Sequence, residues 1–419
     1  MRFGKLEDWL RWQQSLHPHT IELGLERVGD VARRLGLAKP PHKVITVAGT
    51  NGKGSCTAML EAILVDAGYR VGSYTSPHLL RYNERVRVQQ VTVSDLALCQ
   101  AFDRIDLARQ SVSLSYFEFG TLAAMLIFAD SGLDVAIMEV GLGGRLDAVN
   151  LLDPDLALIT SIDLDHTEWL GTDREAIGFE KAGIMRAGRP VVCGDPEPPA
   201  SIAAHAAAVG ARLSQLGADF SYRREDGGWT WQAGLTEYAQ LPLPALRGEI
   251  QLQNAATVLA GLTLLAASLP VDQASISSGL RRVSLAGRYQ RLAGTPEVIL
   301  DVAHNPAGAR ALAATLRAAP PAGRMHGVFA VLADKDAASM VDALEGQVDH
   351  WYLAANHSER ALPITELQKL FGQRAAARVE CFDGVAQAYR AARAAAAARD
   401  RIIVFGSAFT VAEVLALDV

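Results

Sequence analysis

The sequence predicts an α/β protein of two domains: a larger N-terminal one on a parallel-dominated sheet, and a smaller C-terminal Rossmann-like α/β one. Three observations predict it. The first half alternates short β-branched runs with helix-like stretches. A Gly-rich loop sits between one such run and a helix. After a less regular middle region the alternation restarts at Val298. The length, 419 residues, also favours two domains over one. We place them at 1–286 and 287–419, with the boundary in "SLAGRYQRL" (284–292).

The elements follow in order. "KVITVAG" (43–49) reads as a buried strand ending in Gly. "SCTAMLEAILVDAG" (55–68) places Met59, Ile63 and Asp66/Ala67 about a turn apart, with Leu60 and Leu64 beside them, and stops at Gly68 as a helix does. "RVGSYTS" (70–76) is the next strand. The run "LAAMLIFA" (122–129) is too short to span a bilayer and reads as a buried helix. "DVAIMEVG" (134–141) and "LALITSIDLDH" (156–166) are two more strands, ending in acidic or histidine residues. "FSYRREDGGWTWQA" (220–233) suggests a hairpin. In the second half "VILDVAH", "MHGVFAVLA", "HWYLAAN" and "RIIVFG" read as strands; "NPAGARALAATLRA", "DAASMVDALEG" and "ITELQKLFG" read as helices. The Ala/Arg tract "AYRAARAAAAARDR" (388–401) reads as a plain helix.

Composition narrows the class. Half the residues are hydrophobic, 21% are charged and the net charge is −6, with no basic stripe of the kind nucleic acid requires. "MRFGKLEDWLRWQQ" has no apolar signal core. Four scattered cysteines, with no CxxC pair, argue against a zinc site or a disulfide scaffold. The expectation is a cytoplasmic protein with neither a nucleic-acid nor a membrane partner.

The chemistry gathers at strand ends, where open parallel sheets bind ligands. In "VITVAGTNGKGS" (44–55) Gly49, Gly52 and Gly54 let the backbone curl around phosphate, and the helix beyond adds its positive N-terminal end. Lys53 would reach the β- and γ-phosphates, and the Ser55 hydroxyl would bind phosphate or Mg²⁺. The spacing is not the usual G-x-x-x-x-G-K-[ST], because the hydroxyl comes one place late. A plain Gly-rich turn is the alternative; the strand before and the helix after argue against it. Ser76, Glu139 and His166 lie at the ends of three other strands and are candidate ligands for Mg²⁺. "EVGLGGRLD" (139–147) fails as a dinucleotide fingerprint, since the sixth position counted from Gly141 is Leu146. Lys181, in "GFEKAGIM", sits between apolar residues, and its plain structural reading is a lysine that snorkels from a helix or pairs with Glu180. "LDVAHNP" sets Asp301, His304 and Asn305 at a strand end of the second domain, where they would cap a nucleotide or merely a helix.

Nine motifs, "GTNGKGS", "SPHLLRYNERVRV", "FEFGTLAA", "EVGLGGRLDAVN", "DLDHTEWLG", "EKAGIM", "QLQNAATVLAG", "GRYQRL" and "LDVAHNP", occur in this order. Together they closely resemble the folylpolyglutamate synthase/dihydrofolate synthase family, relatives of the Mur peptide ligases. The resemblance runs from about residue 20 to the C-terminus. It implies a P-loop ATPase-like first domain in which GTNGKGS is the family's own phosphate loop. It implies that ATP converts a carboxylate to an acyl phosphate, which the amine of L-glutamate attacks to form an amide. The acceptor would be dihydropteroate, a reduced folate such as tetrahydrofolate, or both.

Residue by residue, the resemblance assigns Asn51, Gly52, Lys53, Gly54 and Ser55 to the triphosphate. Asn254, Arg288, Asp301 and His304 go to the rest of the nucleotide. Ser55, Ser76, Glu139 and His166 would bind Mg²⁺, joined by Lys181 as a carbamate, so that Lys53, His166 and Lys181 form the catalytic set. Phe117, Glu118, Arg145 and Asp147 fall near the pterin, and Gly24 and Leu25 in a stretch linked to dihydropteroate. Lys335 and Ser407 are assigned to glutamate, although "LADKD" and "VFGSAFTVAEVL" depart from the family pattern around them. Two domains closing on one site suggest a monomer. The runner-up is a Mur-type ligase of a cell-wall precursor, against which only about 40 residues precede the phosphate loop. A third reading, a nucleotide-dependent switch, predicts ATP binding without glutamate-dependent phosphate release.

Overall fold

The structure, a computed structural model, describes residues 1–17, 21–372 and 378–417. The chain forms two compact units: residues 1–245 with 252–283, and residues 246–251 with 284–419.

The first unit is built on an eight-stranded sheet of β1 (Lys43–Ala48), β2 (Val71–Tyr74), β3 (Val86–Val88), β4 (Val91–Thr92), β5 (Val135–Glu139), β6 (Leu156–Ile159), β7 (Pro190–Cys193) and β8 (Arg212–Gln215). Its order is β4-β3-β2-β5-β1-β6-β7-β8, parallel from β2 to β8 and antiparallel at the β3–β4 edge. The parallel-dominated sheet expected from the sequence is therefore present. The central strands are mostly apolar and are buried from Val44, Val135 and Leu156 to their ends, as strands of a parallel sheet covered on both faces are. The helix Lys53–Asp66 is buried from Ser55 to Leu64 and ends as expected. Gly68, at φ 89°, closes a Schellman turn in which Tyr69 N donates to Leu64 O and Gly68 N to Val65 O. The apolar run 122–129 lies in the helix Tyr116–Asp130, started by a Ser115/Glu118 capping box. A separate antiparallel sheet contains the anticipated hairpin, β9 (Ser221–Glu225) and β10 (Gly228–Ala233), followed by β11 (Thr236–Leu241).

The second unit holds a six-stranded sheet, β12 (Gln290–Leu292), β13 (Glu297–Asp301), β14 (Met325–Phe329), β15 (His350–Ala354), β16 (Arg378–Phe382) and β17 (Arg401–Phe405). The order is β12-β13-β17-β14-β15-β16, with only β12 antiparallel. Its core packs Phe329, Trp351, Leu353 and Phe405 between the sheet and its helices.

Two expectations need correction. The strand expected over 156–166 stops at Ile159, because residues 160–166 leave the sheet to bond with the phosphate loop. The Ala/Arg tract is helical only to Ala395. Beyond it, Asp400 accepts from Ala397 N (2.7 Å) and Arg324 N (2.8 Å), turning the chain into β17. Among the described residues no helix is long and apolar enough to cross a membrane.

Candidate active site

The order β2-β5-β1-β6 brings four strand ends together at the carboxyl edge of the first unit's sheet. Ser76 follows β2, Glu139 ends β5 opposite Val47 of β1, the phosphate loop follows β1, and 160–166 follow β6. These expected positions therefore share one edge.

The loop's curvature is fixed by close packing. Gly49 has φ 147°, and a Cβ there would lie 1.8 Å from Thr160 Oγ1. Gly52 has φ 94°, starts the helix, and would drive a Cβ to 2.5 Å from Asn254 Oδ1. Both positions demand glycine. Asn254 thus lies against the loop. Thr160 Oγ1 and Ser161 Oγ donate to Asn51 O at 2.7 and 3.1 Å, and Thr50 Oγ1 donates to Asp163 O at 3.0 Å. Lys53 Nζ curls back to Gly49 O (2.9 Å) and Thr50 O (3.2 Å). Gly54 and Ser55 lie in the helix's first turn, with Ser55 buried.

His166 has φ 51° and stands just before the short helix Thr167–Leu170. Lys181 lies in the last turn of the helix Arg174–Ala182 and is 3% exposed. Its amine is pushed down to about 7, first by burial and then by Lys53, with Asp165 opposing. The suggested pairing with Glu180 does not occur, because Arg145 takes that carboxylate through Nε (3.2 Å to each oxygen) and Nη2 (2.8 Å).

The expected pterin residues also converge. A Cβ on Gly141 would lie 2.6 Å from the Phe117 ring, so Phe117 packs on the loop that carries Arg145 and Asp147. Gly24 N donates to Leu146 O (3.2 Å), which brings the 24–25 segment to the same loop. Two of these residues already have structural work. Glu118 accepts from Ser115 N (2.7 Å) and Arg27 Nη2 (3.0 Å). Asp147 accepts from Gly141 N, Leu142 N and Val149 N (2.9–3.0 Å), and burial pushes its carboxyl up to about 6 against those bonds.

In the second unit Asp301 clamps its own neighbourhood, accepting from Tyr289 N (2.9 Å) and Ala303 N (2.8 Å). Burial raises its carboxyl, opposed first by Arg288. His304 Nδ1 lies 2.9 Å from Val302 O, and Asn305 caps the helix Pro306–Ala318. Lys335 Nζ pairs with Asp334 (3.4 Å). Ser407 caps the helix Ala408–Leu415 and accepts from Asn356 Nδ2 (3.2 Å). Sequence reasoning missed Asn356, although its place two residues past β15 is the signal that would have found it. It also missed Thr160, Ser161 and Asp165, which it absorbed into a strand.

The donor set suits a hard divalent cation. Ser55 and Glu139 offer buried oxygens, and His166 offers an imidazole. Among the described residues no three His, Cys, Asp or Glu side chains converge on one point, so serine and phosphate oxygens would have to complete the shell. A buried amine that is neutral near pH 7 can take up CO₂, so Lys181 fits such a site as a carbamate.

A phosphate loop, a polar strand-end edge and a second α/β unit define a ligase of the Mur type. Residues 47–194 match the Mur ligase middle domain, and residues 287–408 match the Mur ligase glutamate ligase domain. The chain is 46% identical over 410 residues to the dihydrofolate synthase/folylpolyglutamate synthase of Escherichia coli, covering 98% of this chain and 94% of that protein. It also matches the solved structure of E. coli FolC in complex with DHPP and ADP, with a TM-score of 0.94, 46% identity and coverage of 99% and 98% of the two chains. A bifunctional folylpolyglutamate synthase/dihydrofolate synthase with Mn, AMPPNP and L-glutamate bound matches at a TM-score of 0.92 and 46% identity, covering 99% and 98%. The chain belongs to the dihydrofolate synthase/folylpolyglutamate synthase family, which sets aside the cell-wall alternative.

Proposed function

We infer that this chain is an ATP-dependent amide ligase that adds L-glutamate to dihydropteroate and to reduced folates such as tetrahydrofolate, as a cytoplasmic monomer. The observation that carries the reading is the meeting of GTNGKGS, Glu139 and residues 160–166 on one sheet edge of a chain in this family.

The chemistry follows from the groups present. The acceptor's carboxylate oxygen bonds to the γ-phosphorus of ATP and ADP leaves, giving an acyl phosphate. The amine of glutamate then bonds to the acyl carbon, the C–O bond to phosphate breaks, and the amine gives up a proton. Two anions must approach in the first step, so Lys53 and the loop amides neutralise charge and hold the phosphates in line. Mg²⁺, when bound, would neutralise further phosphate charge. We assign it to Ser55, Ser76, Glu139 and His166, with Lys181 as a carbamate. In forming that carbamate the Lys181 nitrogen lone pair bonds to the carbon of CO₂, a C–O π pair moves onto oxygen, and a proton passes to solvent. Asn51–Ser55, Asn254, Arg288, Asp301 and His304 are assigned to the nucleotide. The acceptor falls to Gly24, Leu25, Phe117, Arg145 and Asp147, with Glu118 bracing them, and glutamate to Lys335 and Ser407.

The test supplies Mg-ATP and glutamate with dihydropteroate or with tetrahydrofolate, and follows phosphate release and product mass. Release with a gain of one glutamyl unit in both sets is expected. Release with neither acceptor overturns the reading. Light scattering at working concentration tests the monomer.

A further inference from the structure

The segment "GLGGRLDAVN" (141–150), which failed as a dinucleotide fingerprint, has a different place in the fold. It lies on the C-terminal end of the helix Arg174–Ala182, one residue beyond Lys181. The contact is tight at two glycines. A Cβ on Gly144 would meet Glu180 O at 2.8 Å and Lys181 O at 3.0 Å. A Cβ on Gly183 would meet Arg145 Cβ at 2.4 Å and Cα at 2.6 Å. The last carbonyls of a helix lack partners within it, and here this segment supplies one to Glu180 O and one to the cap residue Gly183. Arg145 N donates to Glu180 O (2.8 Å), and Asn150 Nδ2 donates to Gly183 O (3.0 Å).

Asn150 is the hub. It is 5% exposed, and its Nδ2 also donates to Arg145 O (3.0 Å) while its Oδ1 accepts from Arg186 Nη2 (3.0 Å). Arg186 Nη1 returns to Gly183 O (3.2 Å). Both donor directions and the acceptor of one buried amide are therefore used, one donor closing the loop on itself and the other two bonds joining it to the chain just past the helix end, and no other residue type presents that pattern at that size.

We propose that Asn150 is a positioning residue: with the Gly144 contact it sets the height and rotation of the helix end, and so the place of Lys181 Nζ at the metal-facing edge. The proposal rests on the reading of Lys181 as a metal-facing residue.

The experiment measures Mn²⁺ affinity by electron paramagnetic resonance titration in the presence of a non-hydrolysable ATP analogue. It compares the wild type, Asn150→Ala, Lys181→Ala and the double variant in bicarbonate-equilibrated buffer. Asn150→Ala is expected to weaken Mn²⁺ by about tenfold, the usual effect of losing a support behind a ligand. Because Asn150 acts through Lys181, the double variant should bind Mn²⁺ no more weakly than Lys181→Ala alone. Gly144→Ala, which changes no polar group, should repeat both results and serves if Asn150→Ala does not fold. Losses that multiply in the double variant, or an Asn150→Ala protein with wild-type affinity beside a weakened Lys181→Ala, overturn the positioning role. A Lys181→Ala protein with wild-type affinity overturns the reading of Lys181 itself, and the proposal with it.

Discussion

The carboxyl edges of the two sheets handle charge in opposite ways. At the first unit's edge Lys53 donates to two carbonyls of its own loop, Gly49 O and Thr50 O, and its charge helps to depress the buried Lys181 amine. At the second unit's edge the charges and caps are matched locally: Lys335 with Asp334, Arg288 beside Asp301, Ser407 with Asn356 and Thr410. At the first edge two lysines, Lys53 and Lys181, act on one another with Asp147 and Asp165 close enough to oppose them; at the second each charge named meets an opposite one at short range. Binding of an anion is favoured where two cations repel one another.

The largest test of that contrast is Lys53→Ala. It should lower kcat on the order of 10²–10³-fold, as removal of one well-placed donor to a reacting anion does, with the melting temperature little changed. A kcat within threefold of wild type would break the contrast. Next, Lys181→Ala should lose about 10²-fold in turnover, and short carboxylic acids such as acetate should restore part of it; absence of rescue at saturating acid would count against the carbamate.

The third test is a stability measurement in CO₂-free buffer. The folded Lys181 pKa, about 7, lies below the unfolded value of 10.5. The unfolded state therefore binds more protons between those values, and stability should rise with pH from about 7 to about 10.5. Lys181→Met should remove this slope and be more stable than wild type at pH 7 on the order of 4 kcal/mol, while inactive. Equal stability of the two proteins across that window would mean that Lys181 is not a strained cation. The smallest effect is expected at the second edge. Ser407→Ala should lose a helix cap, about 1 kcal/mol by chemical denaturation. The assignment of Ser407 to glutamate predicts a raised KM for glutamate as well, and an unchanged KM would leave Ser407 with the helix cap alone.

How legible each edge was in the sequence follows the range of the interactions. β1, the helix Lys53–Asp66 and its stop at Gly68 were readable, because β-branching, helical spacing and a C-terminal glycine are local signals. The strand-end positions of Ser76 and Glu139 followed from the same alternation. The 160–166 segment was misread as strand because its apolar residues imitate one, while its hydrogen bonds go to a loop more than 100 residues earlier. The tasks of Gly144 and Asn150 were invisible for the same reason: a missing Cβ or a doubly donating amide has meaning only against the helix end it meets. The structural work of Glu118 and Asp147 was hidden behind the acceptor role that their motifs imply.

The bonds from Thr160 and Ser161 to Asn51 O, with Gly49 pressed against Thr160, bear on the thermodynamics of nucleotide capture. A glycine-rich loop ordinarily has many conformations to lose when a ligand arrives. Here the segment just past β6 restrains the loop before any ligand arrives. The entropy lost in capturing a triphosphate at this loop therefore falls mainly on the ligand, and release of its ordered water is left as a compensating gain.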